Sequence, residues 1–282
     1  MRILLFGSNG QVGREVQAAA KDCDLIALTR VEADLSVDGM AAAAIECLAP
    51  DAIINAAAYT AVDKAEADRE AARRLNAEAP AEIARAASRI GARLIHLSTD
   101  YVFSGDSPAP LDETAPTGPV NYYGETKLEG EMLVAEQAPG GVIVRTSWVF
   151  APHGSNFVGA MMRLSQTQES LRIVSDQTGG PTPAAAIAAA VLKIATARNG
   201  PAGLYHFQGA PSASWAEFAE AIFKAAGCNT RVEKIATANY KTPAKRPLTT
   251  ILNCEKILRD YGVAQPDWRI GLRETALALK NG

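Results

Sequence analysis

The chain has 282 residues, enough to bury a full hydrophobic core and to form two lobes. Its 28 basic and 31 acidic residues give a net charge of −3, which gives no indication of a nucleic-acid partner or of binding to an anionic membrane. No apolar run approaches the length of a membrane span, and no signal-peptide pattern precedes the first predicted strand. The 4 cysteines and 3 histidines are dispersed, so we expect free thiols, no metal site and a cytoplasmic protein.

Short apolar runs alternate with Ala-rich amphipathic stretches in the first half of the chain, a pattern that predicts βαβ units around a parallel sheet. The predicted strands are Ile3–Phe6, Leu25–Leu28, Ala52–Ile54, Arg93–Leu97 and Val142–Thr146. The predicted helices are Gln11–Lys21, Arg69–Ile90 with Gly91 at its C-cap, and one that carries Tyr123 and Lys127. We expect residues 1–149 to form an α/β, doubly wound Rossmann-type dinucleotide-binding domain.

The rhythm is looser after Phe150, and we predict that residues 150–282 form a smaller C-terminal α/β lobe that binds the substrate. The predicted helices of this half are Asn156–Gln166, Ala184–Ala197, Trp215–Ala226, Cys254–Tyr261 and Gly271–Lys280. Short strands are predicted at Arg172–Val174 and Leu204–Phe207. We expect the segments near 184–208 to return to the first sheet.

A glycine loop with the spacing Gly7-x-x-Gly10-x-x-Gly13 joins the first predicted strand to the first predicted helix. A turn at this point needs glycine at positive φ, and a pyrophosphate must approach bare backbone at the helix N-terminus. The position directly after an N-terminal strand favours dinucleotide binding by Gly7, Gly10 and Gly13 over an ordinary Gly-rich turn.

The second predicted strand ends in Thr29-Arg30, where NAD-binding proteins usually have an acid. A guanidinium can bind a 2′-phosphate bidentately, whereas a carboxylate would repel it. We therefore predict NADPH as the coenzyme, with NADH also accepted; the alternative is that Arg30 is only a solvated loop residue. Asp34 and Leu35 are placed to hold the adenine. A dinucleotide that lies flat against the backbone also needs small side chains at the end of the third strand. Ala56, Ala57 and Ala58 provide them there, although the alternative is that these alanines serve only core packing.

Tyr123 and Lys127 share one face of a helix, about 6 Å apart along its axis. The ammonium can lower the pKa of the phenol and hold a nucleotide ribose, while the phenol gives a proton to a carbonyl being reduced. Thr99 follows the predicted strand Arg93–Leu97, so its hydroxyl can bond the same oxygen, although a turn cap is the alternative. Tyr122 is the rival proton donor, but only Tyr123 has a lysine four residues later. The pattern predicts a nicotinamide-dependent oxidoreductase.

Together these motifs resemble the extended short-chain dehydrogenase/reductase superfamily and, within it, the dTDP-4-dehydrorhamnose reductase family. The resemblance runs from the first strand almost to the C-terminus and is carried by several motifs in the family's order: residues 4–13, 55–66, 98–103, 121–131, 145–150, 176–182, 203–206 and 246–247. It implies reduction by NAD(P)H of the C4 ketone of dTDP-4-dehydro-β-L-rhamnose to dTDP-β-L-rhamnose. Its implied partner is a nucleotide sugar.

The resemblance also implies the roles of individual residues. Thr99, Tyr123 and Lys127 match the catalytic triad, and the phosphate loop corresponds to Gly10, Gln11 and Val12. Three positions contact the sugar in the family, and they fall on Thr99, Asp100 and Trp148. Asp100 can orient a sugar hydroxyl, and Trp148 offers a flat apolar face to the pyranose. Arg246 can pair with the diphosphate, or it can form a structural ion pair.

Some members of this family form a dimer around Mg²⁺ held by glutamates of both subunits. One such position matches Glu15, but a second falls on Ala185, and the stretch Ala276–Gly282 has no carboxylate side chain. Mg²⁺ is held poorly by a single carboxylate. We expect a metal-independent enzyme, a monomer rather than a Mg²⁺-bridged dimer, with Glu15 a solvated acid in the first helical turn.

Two other classes of function remain open on the same fold: a nucleotide-sugar dehydratase or epimerase, and a non-catalytic regulatory subunit. A nucleotide-sugar dehydratase needs Asp-Glu directly after the threonine, and here Thr99-Asp100 is followed by Tyr101. An epimerase tends to carry small residues there. The regulatory subunit of methionine adenosyltransferase shares the fold and a similar Asp-Tyr-Val-Phe stretch, but the intact set of Thr99, Tyr123 and Lys127 favours catalysis.

Overall fold

The structure, a computed structural model, describes residues 1–107, 110–197 and 199–281. The strands, in chain order, are β1 (Arg2–Phe6), β2 (Asp24–Leu28), β3 (Ala52–Asn55), β4 (Arg93–Thr99), β5 (Val142–Thr146), β6 (Val149–Phe150), β7 (Ser170–Val174), β8 (Thr178–Gly179), β9 (Thr182–Pro183), β10 (Gly203–His206), β11 (Ala213–Ser214) and β12 (Arg231–Ile235). The helices are α1 (Gln11–Ala19), α2 (Met40–Leu48), α3 (Val62–Ala65), α4 (Arg69–Arg73), α5 (Ala79–Ile90), α6 (Tyr122–Gln137), α7 (Phe157–Leu164), α8 (Ala184–Thr196), α9 (Trp215–Ala226), α10 (Glu255–Tyr261) and α11 (Trp268–Asn281).

Six parallel strands form the central sheet, in the spatial order β2-β1-β3-β4-β5-β10. From β1 the chain runs outward to β2 and then crosses to the other side of β1 to form β3. This crossing creates a topological switch point at the carboxyl ends of β1 and β3, where open α/β sheets bind their ligands. The predicted doubly wound parallel sheet is confirmed.

Both faces of the sheet are covered, which explains why strands such as β1 and β3 have consecutive buried apolar residues rather than an alternating pattern. Leu4 and Phe6 of β1 pack into one core with residues of α2, α5 and α6. Ile3 and Leu5 of the same strand pack into a second core with residues of α1, α8 and α10. The segment from 184 to 206 contributes α8 to that second layer and β10 to the edge of the sheet beside β5.

A smaller group of elements builds a separate core around Phe218 and Trp268. It combines α7, α9 and α11 with the parallel pair of β7 and β12. Helix α9 begins with a capping box between Ser214 and Glu217 and ends at Gly227, so its bounds match the prediction. Strand β12 was not predicted, since its sequence Arg-Val-Glu-Lys-Ile is mostly charged and exposed. No helix in the described part of the chain has both the length and the apolar character of a membrane span.

The predicted helix Arg69–Ile90 is interrupted by a π-helical turn at Arg74–Glu78, between α4 and α5. Pro80 has no amide hydrogen to bond the carbonyl of Asn76 four residues earlier, so a regular α-helix loses a hydrogen bond there. The predicted end of the helix is correct, because Gly91 adopts the left-handed conformation at its C-cap with φ 71°.

Candidate active site

A cleft of about 590 Å³ opens at the carboxyl ends of the central strands. Its lining includes most residues predicted to bind the coenzyme: Gly7, Gly10, Gln11, Val12, Arg30, Asp34, Leu35, Ala56, Ala57, Ala58, Tyr123 and Lys127. Residues that follow β1, β2 and β3 line one part of this cleft, and residues of β4 and α6 line another. The cleft thus joins the glycine loop to the predicted proton donor.

The glycines of the loop have different roles. Gly7 has φ +83°, and a Cβ there would lie 2.6 Å from the amide nitrogen of Ala57, so no other residue fits. Gly10 is the N-cap of α1 with φ −73°, an ordinary value, so the expected positive φ is wrong for this residue. Gly13 does not line the cleft. A Cβ on Gly13 would lie 2.1 Å from the carbonyl oxygen of Gly7, so Gly13 lets α1 pack against the loop.

Arg30 and Asp34 lie together at the rim of the cleft. The Arg30 side chain is 77% exposed, and its Nε lies 3.1 Å from Oδ2 of Asp34. Asp34 also accepts hydrogen bonds from the amide and hydroxyl of Ser36, and these bonds lower the pKa of Asp34 to about 2. An exposed ion pair of this kind contributes little, so the guanidinium can turn towards an incoming phosphate at small cost. Leu35 is buried and packs into the core below the rim.

Tyr123 is the second residue of α6, whose N-cap Asn121 accepts a hydrogen bond from the amide of Gly124. The phenol is buried and lies edge-on to Tyr101, with ring centroids 5.6 Å apart. Burial raises the pKa of Tyr123 to about 12, while a hydrogen bond with Thr99 acts in the opposite direction. The expected lowering of this pKa is therefore wrong for the structure. The phenol is protonated at neutral pH, as a proton donor must be.

Lys127 lies one helical turn after Tyr123 and is completely buried. Its Nζ donates a hydrogen bond to the carbonyl oxygen of Leu97, 2.8 Å away on β4. Burial lowers the pKa of Lys127 to about 8, and the negative charge of Glu131 opposes that shift. The ammonium is thus fixed against the strand that leads to Thr99.

Asp100 and Thr99 lie beside the cleft and are both buried. The Thr99 hydroxyl donates to Oδ1 of Asp100 at 3.1 Å, and the Thr250 hydroxyl donates to Oδ2 at 2.5 Å. Burial raises the pKa of Asp100 to about 6. Both oxygens of the carboxyl are engaged, so in this structure Asp100 orients Thr99 and holds the segment around Thr250.

Two predicted substrate residues have unexpected surroundings. Trp148 has φ 45°, and one face of its ring is stacked on Trp215, with centroids 3.6 Å apart, so the expected open face is not free on that side. Arg246 forms a two-point ion pair with Asp63, at 3.1 and 2.8 Å, and donates to the carbonyl of Ala244. Arg246 is thus part of a structural ion pair rather than an open cation.

Asn55 and His96 support the site and were missed as site residues in the sequence. The Asn55 side chain contacts Nδ1 of His96 at 3.1 Å, and its Oδ1 accepts a hydrogen bond from the amide of Ala57 at 3.2 Å. Burial lowers the pKa of His96 well below its usual value, so the ring is neutral. Asn55 therefore fixes the backbone that lines the cleft after β3. The signal in the sequence was Asn55 itself, a polar residue at the end of the otherwise apolar strand β3.

Glu15 is not the solvated first-turn acid that we expected. It lies in the second turn of α1, its side chain is 19% exposed, and its Oε1 is 3.6 Å from Nδ1 of His153. Among the described residues, no group of three or more His, Cys, Asp or Glu is arranged to hold a metal ion. The C-terminal stretch from Ala276 is described to residue 281, and residue 282 lies outside the described residues. Metal independence stays a prediction.

Residues 1–280 match the family model described as RmlD substrate binding domain. The chain is 41% identical over 289 residues to the dTDP-4-dehydrorhamnose reductase of Sinorhizobium fredii, an alignment that covers 99% of this chain and 98% of that protein. It is similar to the crystal structure of a dTDP-4-dehydrorhamnose reductase from Clostridium acetobutylicum, with a TM-score of 0.95, 35% identity, and coverage of 99% of this chain and 100% of that one. For the enzyme from Bacillus anthracis in complex with NADP, the TM-score is 0.93 at 35% identity, with 98% of each chain covered. Because these matches extend over nearly the whole chain, it belongs to the dTDP-4-dehydrorhamnose reductase family.

Proposed function

We propose that this protein reduces the C4 ketone of dTDP-4-dehydro-β-L-rhamnose to dTDP-β-L-rhamnose, with NADPH as the reductant. The observation that carries this proposal is the position of Tyr123, Lys127 and Thr99 beside a cleft that begins at the glycine loop. Family membership supports the same substrate, since relatives that match over nearly the whole chain are named dTDP-4-dehydrorhamnose reductase. When bound, the coenzyme supplies the hydride that reduces the ketone carbon.

The chain's own residues supply the proton and hold the oxygen. The Tyr123 phenol gives its proton to the ketone oxygen as the carbon gains its hydride, and solvent then reprotonates the phenolate. The buried Lys127 ammonium, one helical turn from Tyr123, stabilises that phenolate by its charge. The Thr99 hydroxyl, which donates to Asp100 in the structure, turns its one hydrogen to the same ketone oxygen when the substrate is bound. Each role requires only side chains that the structure brings to one edge of the sheet.

We assign the adenosine 2′-phosphate of NADPH to Arg30. Its exposed guanidinium lies at the rim of the cleft, and its carboxylate partner there, Asp34, is itself partly exposed. The carboxylate of Glu32 lies close by and accepts a hydrogen bond from the amide of Thr29. Because the rim therefore contains an acid as well as Arg30, we propose that NADH, which has no 2′-phosphate, is also accepted. Comparing kcat/KM for NADPH and NADH in the wild type and in Arg30→Ala tests this assignment, and a wild type that prefers NADH contradicts it.

We also propose that Trp148 and Arg246 contact the substrate, although neighbouring residues restrict how each can do so. The uncovered part of Trp148 is available to the sugar, and Arg246 can bind the diphosphate only by exchanging its bond to Asp63. The nucleotide sugar and the coenzyme are both small metabolites of the cytoplasm, so we propose that the enzyme acts there. We propose no nucleic-acid partner and a monomeric enzyme.

The direct test of function is NADPH oxidation with a panel of keto-sugar nucleotides. We expect turnover with dTDP-4-dehydrorhamnose and at least tenfold lower kcat/KM with UDP- or GDP-linked keto sugars, since each lost hydrogen bond costs about a factor of ten. Turnover of a nucleotide sugar without added NADPH would favour an epimerase. Binding to a methionine adenosyltransferase without any NADPH oxidation would favour the regulatory function.

A further inference from the structure

Two buried hydroxyl groups, on residues that line the cleft, have no hydrogen-bond partner within the described part of the chain. They are Oγ of Ser98 and Oγ1 of Thr146, and each belongs to a residue that is 6% exposed. Buried hydroxyls are almost always hydrogen-bonded in folded proteins, because an unpaired one loses its bonds to water without replacement. Both residues line the same cleft as Tyr123 and Lys127, so the missing partner is expected to lie in that cleft.

The sheet shows which part of a dinucleotide reaches these hydroxyls. Ser98 lies near the carboxyl end of β4 and Thr146 at the carboxyl end of β5, and the register pairs Thr146 with Thr99. Arg30 follows β2, which is three strands from β4 in the sheet. At about 4.8 Å per strand, the two places are about 14 Å apart, and a dinucleotide lying across the crevice spans such a distance. With its adenosine end at Arg30, its nicotinamide end lies at Ser98 and Thr146.

The chemistry of that end narrows the ligand further. The Lys127 ammonium already donates to the carbonyl of Leu97, and Val149, the neighbouring lining residue, is apolar. A nicotinamide ring has one hydrogen-bonding substituent, its carboxamide, which combines an acceptor oxygen with a donor NH₂ group. A hydroxyl can serve as donor to the first or as acceptor from the second. Two unpaired hydroxyls on neighbouring strands match this substituent.

We propose that Ser98 and Thr146 hold the carboxamide of the nicotinamide ring and thereby fix which face of the ring meets the substrate. This inference rests on the proposed NADPH-dependent function. Ser98 and Thr146 are positioning residues: they orient the hydride-bearing ring, while Tyr123 supplies the proton. The unpaired hydroxyls destabilise the protein without coenzyme, and binding of the coenzyme relieves that cost.

The test compares two ligands that differ by the nicotinamide ring, NADPH and 2′-phospho-ADP-ribose, by titration in the absence of any sugar. Ser98→Ala and Thr146→Val should each weaken NADPH binding about tenfold and leave the affinity for 2′-phospho-ADP-ribose unchanged. Thr146→Ser, which keeps a hydroxyl, should restore NADPH binding. Both hydroxyl deletions should also raise the melting temperature of the protein without coenzyme, whereas loss of a structural hydrogen bond would lower it.

The matched control is Thr182→Val, which removes a buried hydroxyl outside the cleft. Thr182 donates to the carbonyl of Gly180 and accepts from the amide of Gly209, so its loss should lower the melting temperature and leave the ratio of the two affinities unchanged. Equal losses for NADPH and 2′-phospho-ADP-ribose in the Ser98 or Thr146 variants, or no loss with either, overturn the inference. A wild type that binds both ligands equally well also overturns it. Tight NADPH binding without reduction of the dTDP sugar overturns only the proposed function.

Discussion

Burial favours the neutral form of both groups in the Tyr123–Lys127 pair. It raises the pKa of the phenol to about 12 and lowers that of the ammonium to about 8. The phenol therefore holds its proton over the whole physiological range, and Lys127 changes its charge just above that range. This arrangement suits reduction of a ketone. Tyr123 has a proton to donate, and the positive charge of Lys127, which stabilises the phenolate that remains, lies only one helical turn away.

At the residue scale, the first prediction concerns the proton donor. Tyr123→Phe removes the hydroxyl and keeps the buried ring, so kcat should fall about 100-fold or more while the protein stays folded. Steady-state kinetics and circular dichroism measure the two effects. The control is Tyr122→Phe, since Tyr122 lies outside the cleft lining with Arg69 over its ring. A severe loss of kcat in Tyr122→Phe, with only a mild loss in Tyr123→Phe, would show that Tyr122 rather than Tyr123 is the proton donor.

The second residue-scale prediction concerns stability and pH. The folded-state pKa of Lys127, about 8, lies below the ordinary lysine value of 10.5, so the unfolded chain binds more protons between these two pH values. The contribution of Lys127 to the free energy of unfolding therefore increases as the pH rises from about 8 to about 10.5, and it is lowest below pH 8. Lys127→Met should raise the free energy of unfolding at pH 7 by about 2 kcal/mol, after the lost bond to Leu97 is subtracted, and abolish turnover.

Thermal denaturation at pH 7 and at pH 10 checks this prediction. The advantage of Lys127→Met over the wild type should shrink at pH 10, where the folded wild type no longer carries the buried charge. A variant that is less stable than the wild type at pH 7 would show that the hydrogen bond to Leu97 outweighs the cost of the charge.

At the scale of elements, helix α6, which carries Tyr123 and Lys127, packs against the π-helical turn. The Asn76 side chain bonds the amide and carbonyl of Tyr59 and the hydroxyl of Thr126. The carbonyl of Asn76 approaches Gly130 so closely that a Cβ there would lie 2.0 Å from its oxygen. The irregular turn and the glycine together set the distance of α6, and hence of Tyr123, from the rest of the sheet.

Gly130→Ala tests this seating. The added methyl must push α6 away from Asn76, so we expect about 2 kcal/mol of lost stability and a lower kcat, because Tyr123 and Lys127 move with the helix. Denaturant unfolding and steady-state kinetics measure the two losses. Gly140→Ala is the matched control, since a Cβ at Gly140 meets nothing within 4 Å. Wild-type stability in Gly130→Ala would mean that the close approach is not a constraint.

Local patterns predicted much of the fold and of the coenzyme cleft. The strands, the glycine loop and the spacing of Tyr123 and Lys127 are all short-range features, and the structure retains them. Contacts between distant residues were not predictable in this way. The pair of Arg246 and Asp63 joins positions 183 residues apart, and the partner of Trp148 is Trp215. Neither partner has a local pattern that points to the other, so the sequence could not show that Trp215 covers one face of Trp148, and it left open whether Arg246 forms a structural ion pair.

At the scale of the whole molecule, segments that are distant in the sequence are bonded to one another beside the candidate active site. The bond between Asp100 and Thr250 joins the end of β4 to the segment 249–253, which also bonds Thr178 and Leu111 through its backbone. Glu15 of α1 faces His153 rather than open solvent. These contacts lie within one chain, so the site contains its own supports.

The prediction at this scale is that the enzyme needs neither a metal nor a partner subunit. Activity should be unchanged by EDTA, and light scattering should give the mass of one chain with and without Mg²⁺, because Glu15 alone cannot hold Mg²⁺ firmly. A dimer that dissociates and loses activity on chelation would show that other ligands replace the missing glutamates.

The transfer of hydrogen to the sugar tests the central claim most directly. NADPH carrying deuterium at both C4 positions of its nicotinamide ring is incubated with the protein and dTDP-4-dehydrorhamnose, and the product is examined by NMR. The account predicts one deuterium at C4 of dTDP-rhamnose for each NADPH oxidised. A product without deuterium at C4, or conversion of the sugar without oxidation of NADPH, would contradict it.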